Sequence, residues 1–335
     1  MKKYLWLALM LLIFVSFTHD KDRTPVIYMI GDSTMANKPT EGDNPERGWG
    51  QMLSGYLSDG IRVDNHAVNG RSSKSFIDEG RWDAVLEKLR PGDYVFIQFG
   101  HNDEKPKADR HTDPGTTFDE NLRKFVNESR ARGAKPVLFN SIVRRNFGKT
   151  TGADQLAAAV SQDDAFYNNP DAARAVGTDE QGGAELVDTH GAYLESPRNV
   201  ASELHVPFVD MNRITKELVE KMGPEESKRL FVWVKPNTIA AIPKGREDNT
   251  HLNVYGARLI AGLTIDAIAR EVPPLAKYVR HYDYVVAQDG SGDFFTVQEA
   301  VNAVPDMRKK PTTIIISPWE YKEKIVIAPS KTNIH

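Results

Sequence analysis

Between Thr24 and about Glu271, short apolar runs alternate with longer amphipathic stretches, and that alternation leaves few folds open. The apolar runs are Val26–Ile30, Ile61–Asn65, Tyr94–Phe99, Pro136–Asn140 and Val206–Asp210. Helical periodicity predicts helices over Gly50–Leu57, Phe76–Leu89, Phe118–Arg132 and Pro197–Leu204, then Ile214–Met222 and Val254–Ala269 after the last strand. Strands separated by helices pair in parallel, wound right-handedly, with helices on both faces. The class is α/β, with a sheet of about five strands. Such sheets place their sites outside the carboxyl ends of the strands.

Three polar blocks fall on that one rim. Gly31-Asp32-Ser33-Thr34 follows the first strand, Asn69-Gly70-Arg71-Ser72 comes shortly after the second, and Gly100-His101-Asn102-Asp103 follows the third. A fourth, Asp248-Asn249-Thr250-His251, precedes the last helical pattern. Serine, histidine and aspartate are the parts of a nucleophilic triad, whose chain order differs among the folds that carry it. With i to i+3 spacing, Asp248 and His251 can share one side of a turn. Each block alone has a plainer explanation. Ser33 could cap a helix or form a turn, Asp248 and Thr250 could cap the helix beginning near Val254, and Asn69-Gly70 is a common turn dipeptide. Four blocks in this order point instead to an ester hydrolase.

The blocks Gly31-Asp32-Ser33, Gly70, Gly100-x-Asn102-Asp103 and Asp248-x-x-His251 resemble those of the SGNH, or GDSL-type, hydrolases. Within that superfamily, residues 25–272 look like rhamnogalacturonan acetylesterases, with Leu186–Gly191 and Glu247–Ala257 as supporting runs. The resemblance implies a three-layer α/β/α, flavodoxin-like fold. It also implies Ser33 as nucleophile, His251 as general base and Asp248 as its orienting carboxylate. The oxyanion donors would be the backbone N–H groups of Ser33 and Gly70 and the side-chain amide of Asn102. Arg71, Arg144 and Arg145 lie close to strand ends and could meet galacturonate carboxylates, with solvated surface charge as the alternative. His101 and His190 read as local structural residues. Ligand spacing gives metal binding little support, and no cofactor is implied.

Several classes are excluded by composition. Basic and acidic residues number 43 and 46, a net charge of -3, so the basic footprint of a nucleic-acid binder is missing. Cysteine is absent, which removes disulfides, thiolate metal sites and a cysteine nucleophile. Lys2 and Lys3 precede the apolar run Tyr4–Phe17, and polarity returns at His19. Residues 1–19 therefore read as a secretory signal, an uncleaved anchor being the alternative, and place the mature chain in the periplasm or outside a bacterium, off the membrane. The oligomeric state is left open.

Two segments interrupt the pattern. Residues 147–185, rich in Ala, Asp, Gln and Gly, read as an inserted surface excursion. Glu271-Val272-Pro273-Pro274 stops the last helix and marks a domain boundary, with residues 273–282 expected as a linker. Beyond it, Tyr284–Phe294, Thr296–Pro305 and Ile314–Lys324 resemble the opening of a pectin methylesterase, a right-handed parallel β-helix. Residues 283–335 would supply about one coil of it and none of that family's catalytic residues. The combined expectation is an esterase removing acetyl groups from acetylated pectic polysaccharide. The alternatives are action on another acetylated glycan such as xylan, or a non-catalytic carbohydrate-binding module.

Overall fold

The computed structural model describes residues 23–148, 185–280, 282–290, 292–317 and 319–335. The expected signal segment and most of the inserted excursion lie outside the described residues. The five expected strands are present: β1 (Val26–Gly31), β2 (Arg62–Asn65), β3 (Tyr94–Gln98), β4 (Lys135–Phe139) and, after a short antiparallel pair β5 (Phe147–Gly148) and β6 (Glu185–Leu186), β7 (Phe208–Val209). The five form one sheet in the order β2-β1-β3-β4-β7, parallel throughout. The order reverses at β1, so the crevice beside its carboxyl end is the topological switch point.

Alternate strand residues feed two separate cores. Ile27, Met29, Phe96, Val137 and Phe139 pack on one face with Trp49, Leu53 and the helix Val254–Glu271. Val26, Tyr28, Ile30, Val95, Ile97 and Leu138 pack on the other with Phe76, Trp82 and the helix Thr117–Ala131. Period-two alternation with both faces buried explains why these strands are almost wholly apolar. Gln98, the polar exception in β3, is buried and accepts from Trp49 Nε1 at 2.8 Å. The sandwich is therefore three layers deep.

Helix boundaries depart from expectation where the backbone turns. The pattern over Phe76–Leu89 divides into Ser73–Asp78 and Arg81–Lys88, with Gly80 left-handed (φ 68°) between them. Ser72 caps the first of these, its hydroxyl accepting from Ser75 N. The segment expected to run helical from Gly50 begins at Trp49–Met52 and tightens to a 3₁₀ turn over Leu53–Tyr56.

The largest unexpected element is an antiparallel pair, β8 (Phe231–Val234) and β9 (Arg246–Leu252). It puts the whole Asp248–His251 block in a strand instead of a pre-helical loop. The helix that follows is capped by Asn253, whose side chain accepts from Gly256 N at 2.9 Å, so neither Asp248 nor Thr250 is its cap.

Residues 273–280 are not a free linker. Pro273–Ala276 forms a short helix, Leu275 is fully buried, and Tyr278 and Val279 pack against the first core. Backbone bonds from Ser58 N to Tyr278 O and from Arg280 N to Tyr56 O stitch the segment down. Beyond it, β10 (Tyr284–Val286) and β11 (Ile314–Ile316) pair in parallel beside the helix Val297–Ala303, which a Thr296/Glu299 capping box starts. Among the described residues, this one parallel pair of strands is all that forms of the expected β-helix coil. Ile325–Ile327, an apolar row that further β-helix coils would normally cover, forms no strand and is exposed.

Candidate active site

The block after β1 is shaped by its own side chains. Asp32 is buried and turns back on the chain, accepting from Thr34 N at 2.9 Å and Thr34 Oγ1 at 2.8 Å. The Asp32 carbonyl accepts from Ala36 N at 3.0 Å, closing a tight turn that presents Ser33 at the strand end. Burial raises the Asp32 carboxyl above its ordinary range, against the two Thr34 bonds.

His251 reaches this turn from the opposite end of the chain. Its Nε2 lies 2.9 Å from Ser33 Oγ, and its Nδ1 lies 2.8 Å from Asp248 Oδ2. The other carboxylate oxygen, Asp248 Oδ1, accepts from the backbone of Thr250 at 2.7 Å and His251 at 2.8 Å. Burial alone would raise the Asp248 carboxyl, but the adjacent Arg246 guanidinium, with His251, holds it well below the ordinary carboxylate range.

A break in strand register creates this contact. Phe231 pairs with Leu252 and Trp233 with Glu247, so residues 248–251 have only Val232 opposite them. The surplus residues bulge, and a bulge re-aims side chains that a regular strand would alternate across its faces. Arg145 and Trp233 hold the bulge at Asn249, whose Oδ1 accepts from Arg145 Nη1 at 2.8 Å and Trp233 Nε1 at 3.1 Å.

The other two blocks are tied together by Asp103. Its carboxylate accepts from Gly100 N, Ser73 N and Thr112 Oγ1, and from Ser73 Oγ at 2.5 Å, while burial pushes it up to about 7. Gly70 sits at φ 72° and Gly100 at φ 143°, a region L side chains rarely adopt, and a Cβ on Gly100 would collide with Ser141 Oγ. Asn102 Nδ2 donates to Arg71 O at 3.3 Å, leaving its second amide hydrogen for another acceptor. Among the described residues, neither the Ser33 nor the Gly70 backbone N–H has a protein acceptor. Uncommitted donors of this kind beside a serine hydroxyl suit a developing oxyanion.

The arginines expected to face substrate do not present open guanidinium groups. Arg144 and Arg145 are fully buried, which removes solvated surface charge as their explanation. Arg144 is paired with Glu104 and donates to Thr189 Oγ1 at 3.1 Å. Arg71 is partly exposed, with its guanidinium turned to Glu79 at 3.1 Å. His101 and His190 meet edge-on with ring centroids 4.6 Å apart. Burial, with His190 and Arg144 nearby, holds the His101 imidazole well below its ordinary range. The ligating atoms of His101, Glu104 and His190 lie within 4.8 Å of one another, a cluster that sequence spacing did not reveal. The Arg144 guanidinium pairs with the Glu104 carboxylate and approaches His190 Nδ1 to 3.3 Å, and His190 Nδ1 lies 2.9 Å from Glu104 Oε2, so two of the three groups already have protein partners.

A doubly wound parallel sheet with a serine, a histidine and an aspartate hydrogen-bonded in series at its switch point has the architecture of a serine ester hydrolase. Residues 29–259 match the model of the GDSL-like lipase/acylhydrolase family. The chain is 38% identical over 264 residues to rhamnogalacturonan acetylesterase RhgT of Bacillus subtilis (strain 168), covering 79% of this chain and 95% of that protein. It is 30% identical over 256 residues to the probable rhamnogalacturonan acetylesterase YesY of the same organism, covering 76% and 96%. The crystal structure of YxiM from Bacillus subtilis superposes with a TM-score of 0.53 at 23% identity, over 74% of this chain and 57% of that one, a likeness of fold. The chain belongs to the GDSL-like lipase/acylhydrolase family and is a carboxylic-ester hydrolase of the SGNH type. Residues 283–335 separately match the pectinesterase family model. There the chain is 52% identical over 52 residues to probable pectinesterase 56 of Arabidopsis thaliana, spanning 18% of that protein.

Proposed function

We propose that this chain is a secreted serine esterase that removes acetyl groups from rhamnogalacturonan-type pectic polysaccharide. The observation that carries the chemistry is the series Ser33 Oγ, His251 Nε2, His251 Nδ1 and Asp248 Oδ2, joined at 2.9 and 2.8 Å. Ser33 Oγ attacks the acetyl carbonyl while His251 Nε2 takes its proton. Asp248 holds the imidazole tautomer and balances the charge that forms. The carbonyl oxygen becomes an oxyanion among the Ser33 and Gly70 N–H groups and the Asn102 amide. Collapse breaks the bond to the sugar oxygen, which receives the proton from His251, and leaves acetyl on Ser33. Water, deprotonated by His251, then releases acetate and restores the serine.

The substrate assignment rests on the relatives at 38% and 30% identity. The pectinesterase-like tail supports a pectic setting by domain partnership, and the basic, apolar start at Lys2–Phe17 supports export. The test is acetate release by the purified chain from a panel of acetylated rhamnogalacturonan, homogalacturonan and xylan. Preference for rhamnogalacturonan is the expected result. Preference for xylan would overturn the substrate, and no release from any ester, p-nitrophenyl acetate included, would overturn the chemistry.

A further inference from the structure

Behind the proposed triad runs a second series of buried charges. Arg246 Nη2 donates to Asp248 Oδ2, the same oxygen that receives His251 Nδ1. Arg246 Nη1 donates to Glu46 Oε2 at 2.6 Å, and Lys38 Nζ contacts Glu46 Oε1 at 2.6 Å. Lys38 Nζ also donates to Asn69 Oδ1 at 2.5 Å, one residue before Gly70. All three side chains are at least nine-tenths buried, at 2% exposure for Lys38, 8% for Glu46 and 4% for Arg246. An ion network this far from solvent rarely repays its desolvation in stability alone. It therefore calls for a role beyond holding the fold together.

We propose that Lys38, Glu46 and Arg246 are positioning residues that couple the Asp248–His251 pair to the Asn69–Gly70 turn and set the charge felt by the imidazole. The proposal rests on His251 being the general base. Arg246 holds Asp248 Oδ2 while two backbone N–H groups hold Oδ1, so both carboxylate oxygens are fixed and rotation away from Nδ1 is opposed. Its positive charge also lies beside the imidazole, with Nη2 3.2 Å from His251 Nδ1. Glu46 offsets that charge and links it to Lys38. Burial would raise the Glu46 carboxyl, but Lys38, then His251 and Arg246, overcome it and hold Glu46 at about 2. Burial lowers the Lys38 ammonium even so. Its Nζ faces two acceptor oxygens at 2.5–2.6 Å, and the charge of the Glu46 carboxylate opposes that lowering. The charges surrounding His251 are thus Asp32 after β1, Glu46 in the loop before Trp49, His101 after β3, and Arg246 and Asp248 on β9.

Opposite charge deletions should therefore move activity in opposite directions along the pH axis. In Arg246→Gln the imidazolium loses a repelling charge, so the acid limb of kcat/KM for p-nitrophenyl acetate should move up by about one pH unit. In Glu46→Gln it loses an attracting charge, and the limb should move down. Arg246→Lys should restore the wild-type limb while kcat stays roughly tenfold low, because one ammonium cannot bridge both carboxylates. KM for this small ester should change little in all three. Limbs that coincide with wild type, or that shift in the same direction in both Gln variants, would overturn the proposal. Should Arg246→Gln fail to fold, the downward shift in Glu46→Gln decides alone, since the amide keeps the volume and one acceptor. Ser33→Ala run alongside separates the two levels: residual activity there defeats the triad itself, whereas an inactive Ser33→Ala with unshifted limbs defeats only the network.

Discussion

Ser33 and His251 are 218 residues apart in the chain and 2.9 Å apart in space. One stands at the carboxyl end of a central strand, the other in a bulge of a hairpin outside the sheet. Neither position is adaptable, because a tight Asp32–Thr34 turn holds the first and Arg145 and Trp233 grip the second. Ser33→Ala should therefore remove acetate release almost completely and leave the melting temperature nearly unchanged. Activity above a few per cent of wild type in a folded variant would remove Ser33 from the mechanism.

His251→Ala should be as damaging as loss of the serine. Asp248→Asn should leave more residual activity, since triad members act as a unit with unequal single effects. Asp248 also accepts two backbone bonds within the bulge, so Asp248→Ala should lower stability as well as rate. Kinetics and thermal melts on the same preparations separate the two losses. Equal stability of the Asn and Ala variants would contradict the structural share assigned to Asp248.

Asn102→Ala removes the proposed oxyanion donor without touching the Asp103 bonds that tie the loop to Ser73. A loss of roughly 2.7–4 kcal/mol of transition-state stabilisation is expected, seen in kcat with KM for p-nitrophenyl acetate little altered. Gly100→Ala should behave differently, losing stability and rate together, because a Cβ there meets Ser141 Oγ at a strained φ of 143°. A fully stable Gly100→Ala would contradict the packing described.

Acid stability should carry the signature of Glu46. Its carboxyl is lowered from 4.5 to about 2 in the folded chain, so it contributes stability that is fully present above pH 4.5. That contribution, on the order of 3 kcal/mol, is lost as the pH falls from 4.5 towards 2. Denaturant melts of wild type and Glu46→Gln over this range should converge as the pH drops. Parallel curves would show that Glu46 is not held by its neighbours.

Truncation separates the two matched regions at a different place from the Pro273-Pro274 boundary. A stop after Glu271 removes Leu275, Tyr278 and Val279 from the first core and should destabilise the esterase. A stop after Tyr282 keeps that packing and removes the exposed Ile316, Trp319 and Ile325–Ile327 surface, so it should preserve activity and improve solubility. Methanol release from methylated pectin by the full chain would show that residues 283–335 do more than this division allows.

What the sequence determined by itself was local and periodic. Apolar runs of strand length separated by amphipathic stretches specify a parallel sheet buried on both faces, and Ile27/Tyr28 or Val95/Phe96 divide between its cores as their alternation requires. Three short polar blocks after strands and a fourth before the last helix raised Ser33, Gly70, Asn102, Asp248 and His251 as candidates, because each block is contiguous. Tertiary structure alone decided how that set is held. The β8–β9 register break, invisible in Arg246–Leu252 as a string, turns Asp248 and His251 towards Ser33. Alternation along β9 could have flagged Arg246, two residues before Asp248. Nothing local links Glu46 to Arg246 across 200 residues, or Arg144 to Glu104. Buried charges are placed by the partners that compensate their desolvation, and those partners come from wherever the fold brings a counter-charge. Periodicity reports which face a side chain takes, whereas pairing in the interior depends on contacts that only the folded chain makes.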